Sequence, residues 1–151
     1  LAGLHMSHII TSNADLREQV AGGLQKAKMF GLNPFSAAAV QAAYTDGEDW
    51  LEQALAYIQG NMDYLAEFLG ENLPQIPLIK PDATYLAWLD CRALSLNQDQ
   101  LEDLMLNQAG LFLDEGYIFG EEGAGFERIN VACPRYILED ALHRLVEAIG
   151  S

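Results

Sequence analysis

The order of predicted elements points to an α+β chain with a two-layer domain over its last two thirds. Three observations carry that expectation. A long apolar helical stripe runs from Glu48 to about Leu73. After it the segments shorten and alternate, reading β-β-α-β-β-α to the end of the chain. Before it lies an Ala-rich helical stretch with one strand-like segment, different in texture from the rest of the chain.

Taken in order, Leu4 to Ile10 alternates weakly and reads as a short strand with no neighbour in sequence to pair with. Ser12 followed by Asp15 offers a capping box for a helix through about Lys28, weakened in its middle by Gly22 and Gly23. The run GLNP, Gly31 to Pro34, is a turn, and Pro34 suits the first position of the next helix, PFSAAAVQAAY. Asp46 suits the N-cap of the long helix. Trp50, Leu51, Ala54, Leu55, Ile58, Met62, Leu65, Phe68 and Leu69 keep its three-and-four spacing, and Pro74 stops it.

Ile76 to Lys80 and Thr84 to Cys91 are strand candidates separated by the Pro81-Asp82 turn. Asn97 to about Ala109 reads as a helix with Asp99 and Glu102 in its early turns, closed by Gly110. Leu111 to Asp114 is a short strand, EGYIFGEEGAG a glycine-rich loop, and Phe126 to Ala132 the last strand. Pro134 opens a terminal helix to about Ile149, with Leu138, Ala141, Leu142, Leu145, Val146 and Ile149 on its buried face.

Composition narrows the function classes. With 151 residues the chain makes one domain or pieces of two. A net charge of −14 and only eight Lys and Arg disfavour nucleic acid and anionic membrane as partners. No apolar run is long enough to cross a bilayer, and the opening LAGLHMSHIITSN does not read as a signal peptide, so a cytoplasmic location is expected. Cys91 and Cys133 sit in apolar strand-like contexts and read as free core thiols.

Few residues are placed for chemistry. His5 and His8 are three apart in a strand-like segment and face opposite sides, and His143 lies among charges on the last helix, so no metal site is expected. No serine nucleophile motif occurs, and Glu121 and Glu122 read as a solvated loop. Arg128 remains. It sits mid-strand in FERINVACPR, with Phe126, Arg128, Asn130 and Ala132 on one face and Glu127, Ile129, Val131 and Cys133 on the other. Its planar guanidinium grips a carboxylate through two parallel hydrogen bonds. If that position faces inward, the cation must be paired. Either an internal Asp or Glu, of which there are 22, pairs it, or it stands open for a carboxylate-bearing ligand. Arg135, at a helix start, is a weaker candidate of the same kind.

PDATYLAWLDCRAL, LDEGYIFGEEGAGFERINVACPR and ILEDALHRLVEAI together resemble the carboxyl-terminal end of class I/II aminotransferases, and within them the MalY/PatB-type cystathionine β-lyases. LAGLHMSHII and GLNPFSAAAVQAAYTDGEDWL resemble the same family's middle region. The resemblance implies a fold type I pyridoxal-phosphate enzyme, a homodimer acting on amino acids, with residues 1–45 a remnant of the cofactor-binding large domain and 46–151 the small domain. It implies that Arg128 binds the substrate α-carboxylate. It also implies that Asn33 and Ser36 lie near the cofactor phosphate of the other subunit. The family's Schiff-base lysine is expected upstream of Leu1, along with most of the pyridoxal 5'-phosphate pocket and the partner strands of Leu4 to Ile10. Lys26, Lys28 and Lys80 match no motif, so no catalytic residue is expected here and the chain alone should be inactive. Lyase and transaminase chemistry stay equally open. The other function class is a non-catalytic dimerisation or amino-acid-sensing module that reuses the small domain.

Overall fold

The computed structural model of the protein describes residues 2–29, 31 and 33–150. Leu1, Phe30, Leu32 within the expected GLNP turn, and Ser151 lie outside the described residues. The chain forms two compact units, Leu1–Glu52 and Gln53–Ser151.

The first unit is helical. After a short 3-10 turn at Ala2–Leu4, helix α1 spans Ala14–Lys26 and helix α2 spans Pro34–Asp46. The cap of α1 is Asn13, whose side chain accepts from the Leu16 backbone N–H, one residue later than the Ser12 cap expected. Asn13 caps as well as serine does, and the adjacent Ser12 leaves the choice to local geometry. Pro34 begins α2 as expected, with Asn33 as its cap. The strand expected at Leu4 to Ile10 does not form: residues 5–10 carry neither helix nor strand, and His5 adopts φ +50°. A strand needs a neighbour to take its backbone hydrogen bonds, and the other described elements of this unit are helices.

Helix α3 spans Glu48–Asn72 across the boundary between the units. Its expected apolar stripe divides along its length. Met62, Leu65, Phe68 and Leu69 are buried, whereas Trp50, Leu51 and Leu55 are exposed.

The second unit is the two-layer α+β arrangement. Strands β1 (Leu78–Ile79), β2 (Leu86–Asp90), β3 (Asp114–Glu115) and β4 (Phe126–Asn130) form one antiparallel sheet in the order β1-β2-β4-β3. Helix α4 (Gln98–Asp103) opens with a full capping box between Asn97 and Gln100, and its last turns, Leu104–Gln108, widen to π geometry. That wide turn draws the Leu111 N–H onto the Met105 carbonyl at 2.7 Å. Leu111 is thereby tied to the helix end, and pairing with β4 begins only at Asp114, later than the strand expected from Leu111. Helix α5 (Arg135–Gly150) completes the unit.

Helices cover one face of the sheet. Ala87 and Leu89 of β2 and Ile129 and Val131 at β4 pack with Leu65 and Leu69 of α3, Leu101 and Met105 near α4, and Leu138, Leu142 and Leu145 of α5. Each buried leucine of this set contributes roughly 1.5–3 kcal/mol by leaving water.

The other face stays partly open, and it carries Trp88, Asp90, Phe126 and Arg128. The loop below it depends on glycine. A Cβ on Gly116 would collide with the carbonyl oxygens of Gly123 and Phe126, so only a residue without one lets the two strands of the loop touch.

Candidate carboxylate-binding site

Strand pairing sets the candidate site. Trp88 of β2 stands opposite Arg128 of β4, and Arg128 stands opposite Asp114 of β3, so the three form one row across the open face. Side chains paired across an antiparallel ladder project to the same side. Arg128 therefore points away from the helical layer, not inward as its strand context suggested. The inward positions of β4 belong to Glu127 and Ile129.

The guanidinium of Arg128 is held on two sides. Its Nε and Nη2 both donate to a single oxygen, Asp114 Oδ2, at 3.1 and 2.6 Å. The Phe119 ring lies against its plane, 4.4 Å from Cζ to centroid. Nη1 has no protein acceptor among the described residues. The Arg128 side chain is 24% exposed and that of Asp114 47%, so the pair faces solvent rather than the core. An internal acid does pair Arg128, as one of the two sequence readings required, yet it takes one edge of the fork and leaves the other. Trp88 lines the same face, packed edge-on against Phe119 at 5.4 Å and Phe126 at 6.3 Å.

The other arginines of this unit are committed. Arg92 is closed on both oxygens of Asp90, at 2.8 and 2.7 Å, and lies over Phe126. Hydrogen bonding from Arg92 holds the Asp90 carboxyl below its usual range. Arg144 donates to the carbonyls of Ala109 and Gly110 and to Asp140. Arg135, the weaker sequence candidate, is a structural tie. Its Nε donates to Asn61 Oδ1 at 2.8 Å and its guanidinium lies over Tyr64. Asn61 is itself fully buried, and its Nδ2 donates to the carbonyls of Val131 and Cys133.

Sequence reasoning missed Glu127. It is 2% exposed, and its Oε2 is buried with no hydrogen-bond partner. Burial first, then the charges of Glu115, Glu102 and Asp114, push its carboxyl from 4.5 to about 7. The signal was present in the alternation that puts Glu127 on the Ile129 and Val131 face. Cys91, buried nearby, is pushed up to about 12 by burial and then by the charges of Glu127 and Asp90. That suits an inert core thiol.

In the first unit, Asn33 caps α2 by accepting from the Phe35 N–H. Ser36 is 1% exposed and donates to the Leu4 carbonyl at 2.7 Å. Lys26 and Lys28 are exposed there, and in the second unit Lys80 is exposed beside Asp63 at 3.4 Å. Among the described residues no cluster of His, Cys, Asp or Glu is arranged to hold a metal, and no helix is long and apolar enough to cross a membrane.

The family model for aminotransferase class I and II matches residues 1–148. The chain belongs to that family. Within the aminotransferases it is 38% identical over 150 residues to cystathionine β-lyase PatB of Bacillus subtilis, covering 99% of this chain and 39% of that protein. It is also 38% identical over 108 residues to protein MalY of Escherichia coli, covering 72% of this chain and 28% of MalY. The structure superposes on cystalysin of Treponema denticola, which contains pyridoxal 5'-phosphate, with a TM-score of 0.93 and 35% identity. That match covers 99% of this chain and 38% of cystalysin. The α+β fold with its short antiparallel sheet is the one expected from the resemblance, and the chain spans well under half the length of these relatives.

Pyridoxal phosphate needs a lysine amine for its imine and a pocket that excludes water around it. Lys26, Lys28 and Lys80 are all solvent-exposed, and Lys80 sits beside a carboxylate. None of them fits the group.

Proposed function

We propose that this chain is the carboxyl-terminal portion of a pyridoxal-phosphate-dependent aminotransferase or cystathionine β-lyase-like C–S lyase acting on amino acids. In this reading Arg128 binds the substrate α-carboxylate, and the chain alone is catalytically inactive. Residues 1–45 are a remnant of the large domain, 46–151 are the small domain, and the whole enzyme is a cytoplasmic homodimer. Asn33 and Ser36 lie near the cofactor phosphate of a partner subunit.

The observation that carries the reading is the half-occupied fork of Arg128. Asp114 engages the Nε–Nη2 edge through one oxygen and Nη1 is left without a protein acceptor among the described residues. A carboxylate arriving at Nη1 and Nη2 meets a cation whose orientation is already set by Asp114 and Phe119. Prior orientation lowers the cost of binding, because the long side chain has little rotamer freedom left to lose. Bound this way, the α-carbon of an amino acid is held at a fixed distance from the sheet.

Titration of the chain with L-alanine, followed through the arginine Nε–H resonances, tests the carboxylate role. Saturable movement of the Arg128 resonance in the wild-type chain, and loss of L-alanine binding in Arg128→Ala measured by calorimetric titration, are expected; equal calorimetric binding by both proteins would overturn the assignment. Inactivity is tested by adding pyridoxal phosphate and L-cystathionine and assaying pyruvate and ammonia. Turnover with a borohydride-fixed adduct at Lys26, Lys28 or Lys80 would refute it.

A further inference from the structure

We propose that Glu127 is a proton-controlled latch on Arg128: its ionisation parts β3 from β4 and draws Asp114 off the guanidinium. What the latch controls rests on Arg128 being the carboxylate-binding group; the latch itself does not.

Strand β3 is two residues long, Asp114 and Glu115, and lies at the edge of the sheet. Both of its side chains are carboxylates, and the ladder sets one on each face. Asp114 stands opposite Arg128 on the open side, and Glu115 stands opposite Glu127 on the helical side. A backbone movement that separates one pair separates the other. The strand is pinned at either end, by the Leu111 N–H on the Met105 carbonyl and by Gly116 against the carbonyls of Gly123 and Phe126. Parting is thereby confined to the short span between, while the longer ladder of β2 on β4 stays closed.

Glu127 supplies the force. It is 2% exposed, and its Oε2 has no hydrogen-bond partner. The charges that act on it are all acidic, Glu115 and Asp114 from β3 and Glu102 from α4. Cys91, just after β2, is held as a neutral thiol, and Tyr117, just after β3, donates its hydroxyl to Glu102 at 3.5 Å. From α5, Arg135 is engaged by Asn61, and Arg144 by Asp140 and the carbonyls of Ala109 and Gly110. His143 of α5 stacks edge-on against Phe68. An ionised Glu127 therefore has no counterion on its side of the sheet among the described residues.

Burial and the three acidic neighbours keep the proton on Glu127 up to about 7. Above that the carboxylate must reach water, and the weakest barrier is the edge strand across from it. An unpartnered buried charge destabilises more than a two-residue ladder and one solvent-facing ion pair stabilise. When β3 gives way, Asp114 goes with it, and Nε and Nη2 of Arg128 lose their acceptor. The site offers half a fork below neutral pH and a whole one above it.

The test reads native-state contacts in the whole chain by NMR at pH 6 and pH 8. Cross-strand Overhauser contacts between Asp114 and Arg128, and between Glu115 and Glu127, should be present at pH 6 and lost at pH 8. Those between Ala87 and Ile129 should persist at both. Glu127→Gln, which cannot ionise, should keep all of them throughout. Contacts that survive at pH 8 in the wild-type chain, or vanish in Glu127→Gln as well, overturn the latch. Glu115→Gln is an independent check: with the opposing charge gone the transition should move to lower pH, and an unmoved transition counts against the latch. Calorimetric titration with L-alanine, whose charges do not change between these values, then reads the fork. Wild-type affinity should be about two- to fivefold tighter at pH 8, the worth of a solvent-facing ion pair, and equal at both values in Glu127→Gln. Equal wild-type affinities would overturn control of the fork. Contacts that part as expected, with L-alanine bound at neither pH, would overturn the carboxylate site and leave the latch standing.

Discussion

Glu127 and Glu115 stand directly opposite each other in the β3–β4 ladder. Like charges so placed repel, and Glu127 is the one sealed beneath the helices, with Oε2 unpartnered. The two carboxyls lie on the face opposite the row of Trp88, Arg128 and Asp114. One short pair of strands thus presents a cation to the open side and a reluctant acid to the core.

Glu127 should make the chain lose stability as pH rises. Its folded-state carboxyl is raised from 4.5 to about 7 by burial and by the charges of Glu115, Glu102 and Asp114. Between those values the folded chain holds a proton that the unfolded chain has released. The contribution is fully present below about pH 4.5 and is lost through pH 7, on the order of 3 kcal/mol for a shift of this size. Urea denaturation at pH 5 and pH 8 should show the drop, and Glu127→Gln should flatten it and be the more stable protein at pH 8. A wild-type stability that climbs steadily over this range would contradict the assignment.

Asn61 should be among the costliest polar positions. It is fully buried, donates to the Val131 and Cys133 carbonyls at 2.8 Å, and accepts from Arg135. Asn61→Ala leaves two carbonyls and a guanidinium short of partners, at roughly 2–4 kcal/mol. The melting temperature of Asn61→Ala should fall well below that of Arg135→Ala, which removes only one of the three contacts. Equal melting temperatures would mean that the carbonyl ties contribute nothing.

The two thiols should differ in reactivity. Cys91 is buried at 2% exposure and pushed up to about 12, while Cys133 is only partly buried. Thiolate is the reacting species, so Cys133 should be alkylated first by iodoacetamide at pH 8 under native conditions. Mass spectrometry of partially labelled protein reads the order directly.

Local pattern was enough for the helices and for the presence of four strands. Pro34 after Asn33, the stripe from Met62 to Leu69, and the Asn97 cap each act within a turn or two of chain, where backbone sterics and side-chain spacing decide. The motifs around Trp88, Arg128 and Cys133 carried the family resemblance for the same reason: they are contiguous. The larger failures are long-range. Leu4 to Ile10 alternates like a strand, but a strand exists only if another backbone takes its hydrogen bonds, and the helices of its unit offer none. The outer end of α3 is as apolar as its buried end, and which end is covered depends on what packs there.

Arg128 shows the division most clearly. Its residue type and its neighbours say that it suits a carboxylate. Which side of the sheet it faces, that Glu127 takes the inward position, and that Asp114 grips one edge of its fork all depend on register. Register joins residues fourteen positions apart through hydrogen bonds that no stretch of chain contains by itself. A one-residue slip of β4 would have buried the guanidinium and exposed the acid. The chemistry was written locally, and the pairing of strands decided where it would be offered.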